Sequence, residues 1–172
     1  MEPLTSTVRV VTKDSVDVRR LADIAARTFA LACPASVTPE NIAAFVDANL
    51  SAGRFAEYLA DPRRAIMIAE HDDRITGYAM LIRDAGDDDA AELSKIYVAG
   101  EYHGTGVAAA LMDLALATAG EWGARRVWLG VNQANQRAQR FYAKSGFTVS
   151  GTRTFRVGAS LENDFIMTRP VR

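Results

Sequence analysis

The sequence predicts an α+β fold, and three observations carry that expectation. Apolar, β-branched runs and amphipathic helical stretches follow one another in the order β-ααα-ββ-β-α-β-α-β-β. Paired short runs, one pair before and one after the central strand–turn–helix unit, have hairpin spacing rather than the spacing of a doubly wound parallel sheet. The 172 residues suffice for one core and are too few for two comfortable ones, and no repeat or low-complexity linker divides them. Residues 1–172 are therefore expected to form a single domain.

Thr7–Val11 is β-branched and predicts a first strand. Asp14 or Ser15 is a candidate cap for the helix that follows, in which Val18, Leu21, Ile24, Ala25 and Thr28-Phe29 recur at helical spacing until Pro34. Thr38-Pro39-Glu40-Asn41 starts a second helix, with Thr38 as cap, Pro39 at the first position, and Ile42, Phe45, Val46 and Leu50 as its apolar face. Phe55, Tyr58 and Leu59 predict a third, short helix before Asp61-Pro62. Ala65–Glu70 and Ile75–Ile82 read as a hairpin turning at His71–Arg74. After the Asp-rich loop Asp84–Asp89 come a strand, Glu92–Val98, and a long helix, Val107–Trp122. A strand at Arg126–Val131 and a helix at Asn135–Ser145, closed by Gly146, follow. Phe147–Phe155 and Asn163–Thr168 are the last two strands.

The bulk chemistry narrows the function. A formal net charge of −1 gives no basic field for nucleic acid. Cys33 is the single cysteine and His71 and His103 are the two histidines, which argues against a disulfide framework and a metal centre. Met1–Val11 lacks the pattern of a signal peptide and no run is long enough to span a bilayer, so the expected setting is the cytoplasm, with no membrane partner.

The most informative stretch is Tyr102–Ala108, a glycine turn between a strand and a helix start. Converging backbone N–H groups and the positive end of a helix make such a turn a phosphate cradle. It also fits the dinucleotide pattern Gly104-x-Gly106-x-x-Ala109, but Ala99–His103 separate it from its strand, and the next strand ends in Gly130-Val131-Asn132 without a ribose-binding acid. No Gly-Lys-Ser/Thr follows, so it is not a Walker loop. A plain tight turn is the bland alternative.

His103-Gly104-Thr105-Gly106-Val107-Ala108 resembles the signature of the GNAT superfamily of acyl-CoA-dependent N-acetyltransferases, with His103 where Arg or Gln is usual. A second family segment is matched in full by Asn135, Ala138, Phe141-Tyr142 and Gly146-Phe147. The resemblance runs from about Ala65 to the C-terminus. The tail, Phe155–Gly158 with Asn163–Met167, is similar to PaiA-like polyamine N-acetyltransferases.

The resemblance implies a mostly antiparallel central sheet with one splayed parallel strand pair and helices on both faces. It implies acetyl-CoA as co-substrate, no metal, and a primary amine as acceptor, a polyamine being favoured. The alternatives are a protein or peptide acceptor, or a module that binds acyl-CoA without turnover. Monomer and homodimer are both compatible with it. His103, Gly104, Thr105, Gly106, Val107 and Ala108 would hold the pyrophosphate. The backbone of Ile96 and Val98 would pair with the pantetheine arm, and the Val98 N–H would face the carbonyl oxygen. Asn135 would cap its helix and contact the cofactor. Tyr142 would protonate the leaving thiolate; its helix places it with Ala138 on one face and turns Phe141 to the core. Glu92 is the candidate base, and strand alternation sets it on the face of Ser94, Ile96 and Val98, with Tyr97 opposite. Asp87-Asp88-Asp89 either attracts a cationic amine or is a solvated loop. Arg137, Arg140 and Lys144 either meet the 3′-phosphate or face solvent. Cys33 has no histidine near it in sequence, which favours direct attack by the amine over a cysteine nucleophile.

Overall fold

A computed structural model describes residues 6–84, 86–87 and 89–171. Its first strand, β1 (Thr7–Val11), leads to three helices, α1 (Val18–Ala32), α2 (Pro39–Asn49) and α3 (Ala52–Ala60). A hairpin of β2 (Arg64–His71) and β3 (Arg74–Arg83) is followed by β4 (Ala90–Val98), α4 (Val107–Glu121), β5 (Arg126–Asn132) and α5 (Gln136–Lys144). A second hairpin, β6 (Thr148–Val157) and β7 (Ser160–Pro170), completes the order expected from the sequence.

Local chemistry explains the boundaries. Thr38 caps α2 by accepting from the Asn41 N–H at 3.2 Å, and Ser51 caps α3 by accepting from Arg54 at 3.1 Å. At α1 the cap is Asp17, not Asp14 or Ser15, and it accepts from the Arg19 N–H at 2.9 Å. A capping side chain must directly precede the first turn, and Ser15 is spent closing a turn with Thr12. Asp72 and Asp73 turn the first hairpin at φ 51° and 60°, a left-handed conformation that Asp tolerates.

The strands form one seven-stranded sheet in the order β1-β2-β3-β4-β5-β7-β6. The pairing of β4 with β5 is parallel and the others are antiparallel. Each face of the sheet buries its own apolar layer. Met67, Ala79, Leu81 and Leu93 pack with Leu111 and Met112 of α4. Ile66, Ile68, Tyr78 and Met80 pack with Leu21, Ile24 and Phe55 of α1 and α3. Among the described residues no helix is long and apolar enough to cross a membrane.

Two irregularities in β4 position everything that follows. Met80 lies opposite Lys95 whereas Leu81 lies opposite Leu93, so Ser94 is an extra residue in a β-bulge. The bulge breaks the alternation read from the sequence. Glu92 and Lys95 lie opposite Ile82 and Met80, and with Tyr97 they face the α1–α3 side, whereas Leu93, Ile96 and Val98 face α4. Glu92 is thus on the face of Tyr97, not on that of Ile96 and Val98. The second irregularity is the short pairing of β4 with β5. It holds from Ala90↔Arg126 to Glu92↔Trp128 and then stops, and beyond that point the two strands splay.

Candidate active site

The splay leaves polar backbone without a strand partner. The Ala99 N–H donates to the Thr76 carbonyl at 2.8 Å, which aims the peptide groups of Ala99 and Tyr97 at β3. By alternation, those of Ile96 and Val98 point the other way, into the gap. A cavity of about 1020 Å³ runs through this gap. The glycine turn and α5 line it on one side of the sheet, and α1, α2 and the β6–β7 hairpin line it on the other. It therefore has a half on each face of the sheet, joined at the splay.

On the α5 side lies the turn. Gly104 and Gly106 hold φ of 78° and 90°, and a Cβ at either would meet no atom within 4 Å. The open space is the side from which an anion can approach. The N–H groups of Gly104, Gly106, Val107, Ala108 and Ala109 donate to no backbone carbonyl among the described residues, and α4 adds the positive end of its dipole. Such a cradle fits a pyrophosphate. Thr105 departs from the sequence expectation, and Val107 offers its backbone alone. Both the Thr105 N–H and its hydroxyl turn back onto the Tyr102 carbonyl, and the Val107 side chain is buried in the core, which leaves only its N–H to the cradle. Ala109, which the family signature does not reach, lines the cavity instead. Gly106→Val is expected to raise the Kd for acetyl-CoA about tenfold or more, because a β-branched residue is strained at that φ and its methyls enter the cradle. Calorimetric titration of CoA checks this, and an unaltered Kd in a folded variant would refute the phosphate role.

His103 makes two hydrogen bonds. Its Nε2–H donates to the Val98 carbonyl at 2.8 Å, and its Nδ1 accepts from the Arg137 guanidinium at 2.5 Å. A carbonyl can only accept, so the proton sits on Nε2 and the ring is the neutral tautomer. The residue that departs from the family pattern thus ties the end of β4 to α5. It also takes up the Val98 carbonyl and leaves the Val98 N–H facing the gap.

Helix α5 presents its face to the same cavity. Asn135 caps it, accepting from the Ala138 N–H at 3.1 Å, and also lines the cavity. Tyr142 is buried at 9% exposure, edge-on to Phe147 with centroids 6.0 Å apart. Phe141, expected to turn to the core, lines the cavity as well and is the less buried of the two. Burial, reinforced by Tyr97, pushes the Tyr142 hydroxyl far above the ordinary tyrosine value. Arg137, Arg140 and Lys144 all line the cavity, forming a cationic rim on the side of the glycine turn.

The opposite half was largely invisible in the sequence. Phe29 stacks on Phe45 at 4.4 Å, and Phe45 leans on Phe155 at 5.6 Å, making an aromatic wall. Asp164, 4% exposed, pairs with Arg153 at 3.2 Å, and burial raises its carboxyl above the ordinary value against the pull of that arginine. Burial likewise raises Glu92, while Arg153, Lys95 and Arg64 oppose the rise. The Tyr97 hydroxyl is pushed up to about 12 by burial. Burial, with Glu162 adding to it, pushes the Cys33 thiol up to about 11. The period-2 recurrence of Arg153, Phe155 and Val157 was the signal available for the β6 contribution. Asp87 and Asp89 do not line the cavity; they pair with Arg126 and Arg125 at the start of β5. Asp88 lies outside the described residues. Among the described residues no cluster of His, Cys, Asp or Glu is placed to hold a metal ion.

Comparison with known proteins agrees with this geometry. Residues 25–147 match the Acetyltransferase (GNAT) family. An uncharacterised N-acetyltransferase of Mycobacterium tuberculosis is 69% identical over 153 residues, covering 89% of this chain and 97% of that protein. The crystal structure of the PaiA N-acetyltransferase of Thermoplasma acidophilum in complex with coenzyme A superimposes with a TM-score of 0.81 at 20% identity, covering 96% and 99% of the two chains. An aminoglycoside 6′-acetyltransferase type Ii superimposes with a TM-score of 0.73 at 17% identity, covering 96% and 97%. At such identities the likeness is one of fold and does not distinguish acceptors. The chain belongs to the GNAT family of acetyltransferases, with acetyl-CoA as its co-substrate.

Proposed function

We propose that this protein transfers an acetyl group from acetyl-CoA to a small primary amine by direct attack. One observation carries the reading: Val98, Tyr142 and Glu92 line a single cavity that reaches both faces of the sheet. The co-substrate reaches the splay from the α5 side. Gly104, Gly106, Val107 and Ala108 hold its pyrophosphate through their N–H groups, and Ile96 and Val98 pair with its pantetheine arm. The amine arrives from the aromatic side. Glu92 takes its proton, directly or through a water, and the Val98 N–H donates to the oxygen on which charge develops. The Tyr142 hydroxyl, kept protonated by burial, donates to the departing thiolate. A thiol at about 11 stays protonated at neutral pH, which favours direct attack by the amine over a Cys33 nucleophile.

The experiment is release of CoA thiol from acetyl-CoA with a panel of small amines, amino acids, polyamines, aminoglycosides and peptides. Turnover with at least one small amine above the acceptor-free blank is the expected result. Binding of acetyl-CoA without release against the whole panel would reduce the protein to a binding module. Release with peptides alone would move it to protein or peptide acetylation. The polyamine favoured by the likeness of the tail to PaiA-like enzymes shares the reacting amine and differs at the far end of the molecule. The charges of the acceptor half bear on that end.

A further inference from the structure

The acceptor half has a charged floor. Arg64, Lys95 and Arg153 line the cavity together with the carboxylates of Glu92, Glu162 and Asp164. Two of these cations are held by their own acids: Arg64 by Asp61 at 3.0 Å, and Arg153 by Asp164 at 3.2 Å. Arg64 also lies over the Tyr58 ring, 4.8 Å from its centre. Lys95 has no such partner. Among the described residues it makes neither an ion pair nor a hydrogen bond, although it is partly buried on the face it shares with Glu92 and Tyr97. Glu92 makes no direct ion pair with Lys95 and acts on it only through space, as it does on Arg153 and Arg64. A partly buried ammonium without a directly paired anion gains most from a ligand that supplies one. Burial already draws the Lys95 amine down to about 8.

We propose that the acceptor is a small amino acid-like amine, whose carboxylate is bound by Lys95 while its amino group faces the splay. This rests on the acetyl-transfer reading above and specifies the acceptor class. Lys95 precedes Val98 by three residues on an extended strand, about 10 Å along the chain. The carboxylate and the reacting amine are therefore a few bonds apart, as in α- and short ω-amino acids. A diamine in the same pose would place its second ammonium against Lys95, the floor cation that has no ion pair of its own. Like charges close together in such a site are strongly disfavoured. The aromatic wall of Phe29, Phe45 and Phe155 then accommodates an apolar side chain or methylene body.

The test compares matched acceptors. α-Amino acids and ω-amino acids of two to five carbons are each set against the amine lacking the carboxylate and against the diamine of the same length. The measured quantity is kcat/KM from CoA release. Wild-type protein is expected to favour the best amino acid over its diamine by at least about tenfold. Lys95→Met is expected to cut that ratio by about tenfold or more, and Lys95→Arg to keep most of it. The ratio is internal to each variant, so a general loss of fold or turnover does not imitate the result. Preference for diamines in the wild type, or an unmoved ratio in Lys95→Met, would overturn the inference. Turnover confined to aminoglycosides or peptides would overturn it while leaving acetyl transfer intact. Absence of turnover with every amine would overturn the acetyl-transfer reading and this inference with it.

Discussion

Tyr142→Phe is expected to lower kcat about 10²-fold, with the KM for acetyl-CoA changed by less than about threefold, the scale of losing a positioned proton donor. Phenylalanine keeps the ring on Phe147 and its packing with Phe141, so the change removes one oxygen from the cavity. The hydroxyl is raised far above its ordinary value and stays protonated across the working range. The loss should therefore be of similar size at pH 6 and at pH 9. Steady-state kinetics at several pH values check this, and a variant that turns over within threefold of wild type would remove Tyr142 from the chemistry.

Glu92→Gln carries the second large effect, a fall of about 10²-fold in kcat/KM and loss of the acidic limb of the pH profile. The sign follows from the direction of the shift. Glu92 acts as a base only when ionised, and burial raises its carboxyl above the ordinary glutamate value. Wild-type activity should therefore fall with decreasing pH around a midpoint above that of a free glutamate, and the Gln variant should be flat there. The stability consequence runs the other way. A carboxyl with a raised folded-state pKa contributes stability when protonated, and that contribution is lost as pH rises through the folded value. Above that value the ionised Glu92 is thus a burden on the fold, and there Glu92→Gln should melt no lower than wild type. A large drop in Tm with unchanged kcat/KM would make Glu92 a structural residue.

The sequence disclosed the co-substrate half of the site far better than the acceptor half, and the difference is physical. Gly104 and Gly106 are legible because a left-handed φ restricts the residue type, and Asn135 because a cap must precede its helix. These are local constraints, readable within one turn of chain. The bulge at Ser94 was not legible, since an extra residue in a strand leaves no mark on composition, and it reversed the face assigned to Glu92. His103 could be flagged as a departure but not explained, because its partners Val98 and Arg137 lie on two different elements. The acceptor wall is wholly non-local. Phe29, Phe45 and Phe155 meet from α1, α2 and β6, and each reads in isolation as ordinary core. Lys95 drew no notice because a lysine in a strand is unremarkable until its neighbours are found to be paired elsewhere.

The parting of β4 from β5 also bears on how this sheet avoids its own kind. A strand edge with free N–H and C=O groups is a template for foreign strands, and proteins ordinarily blunt such edges at the rim. Here a second edge lies inside the sheet, along Ile96–Val98, between β3 and the diverging β5. Its approaches are fenced by α5 and the glycine turn on one face and by α1 and α2 on the other. A slender chain can thread between those fences, whereas a strand of another protein, with neighbours of its own, cannot. The opening proposed to take an extended, peptide-like arm is thereby too narrow for an edge-to-edge sheet contact.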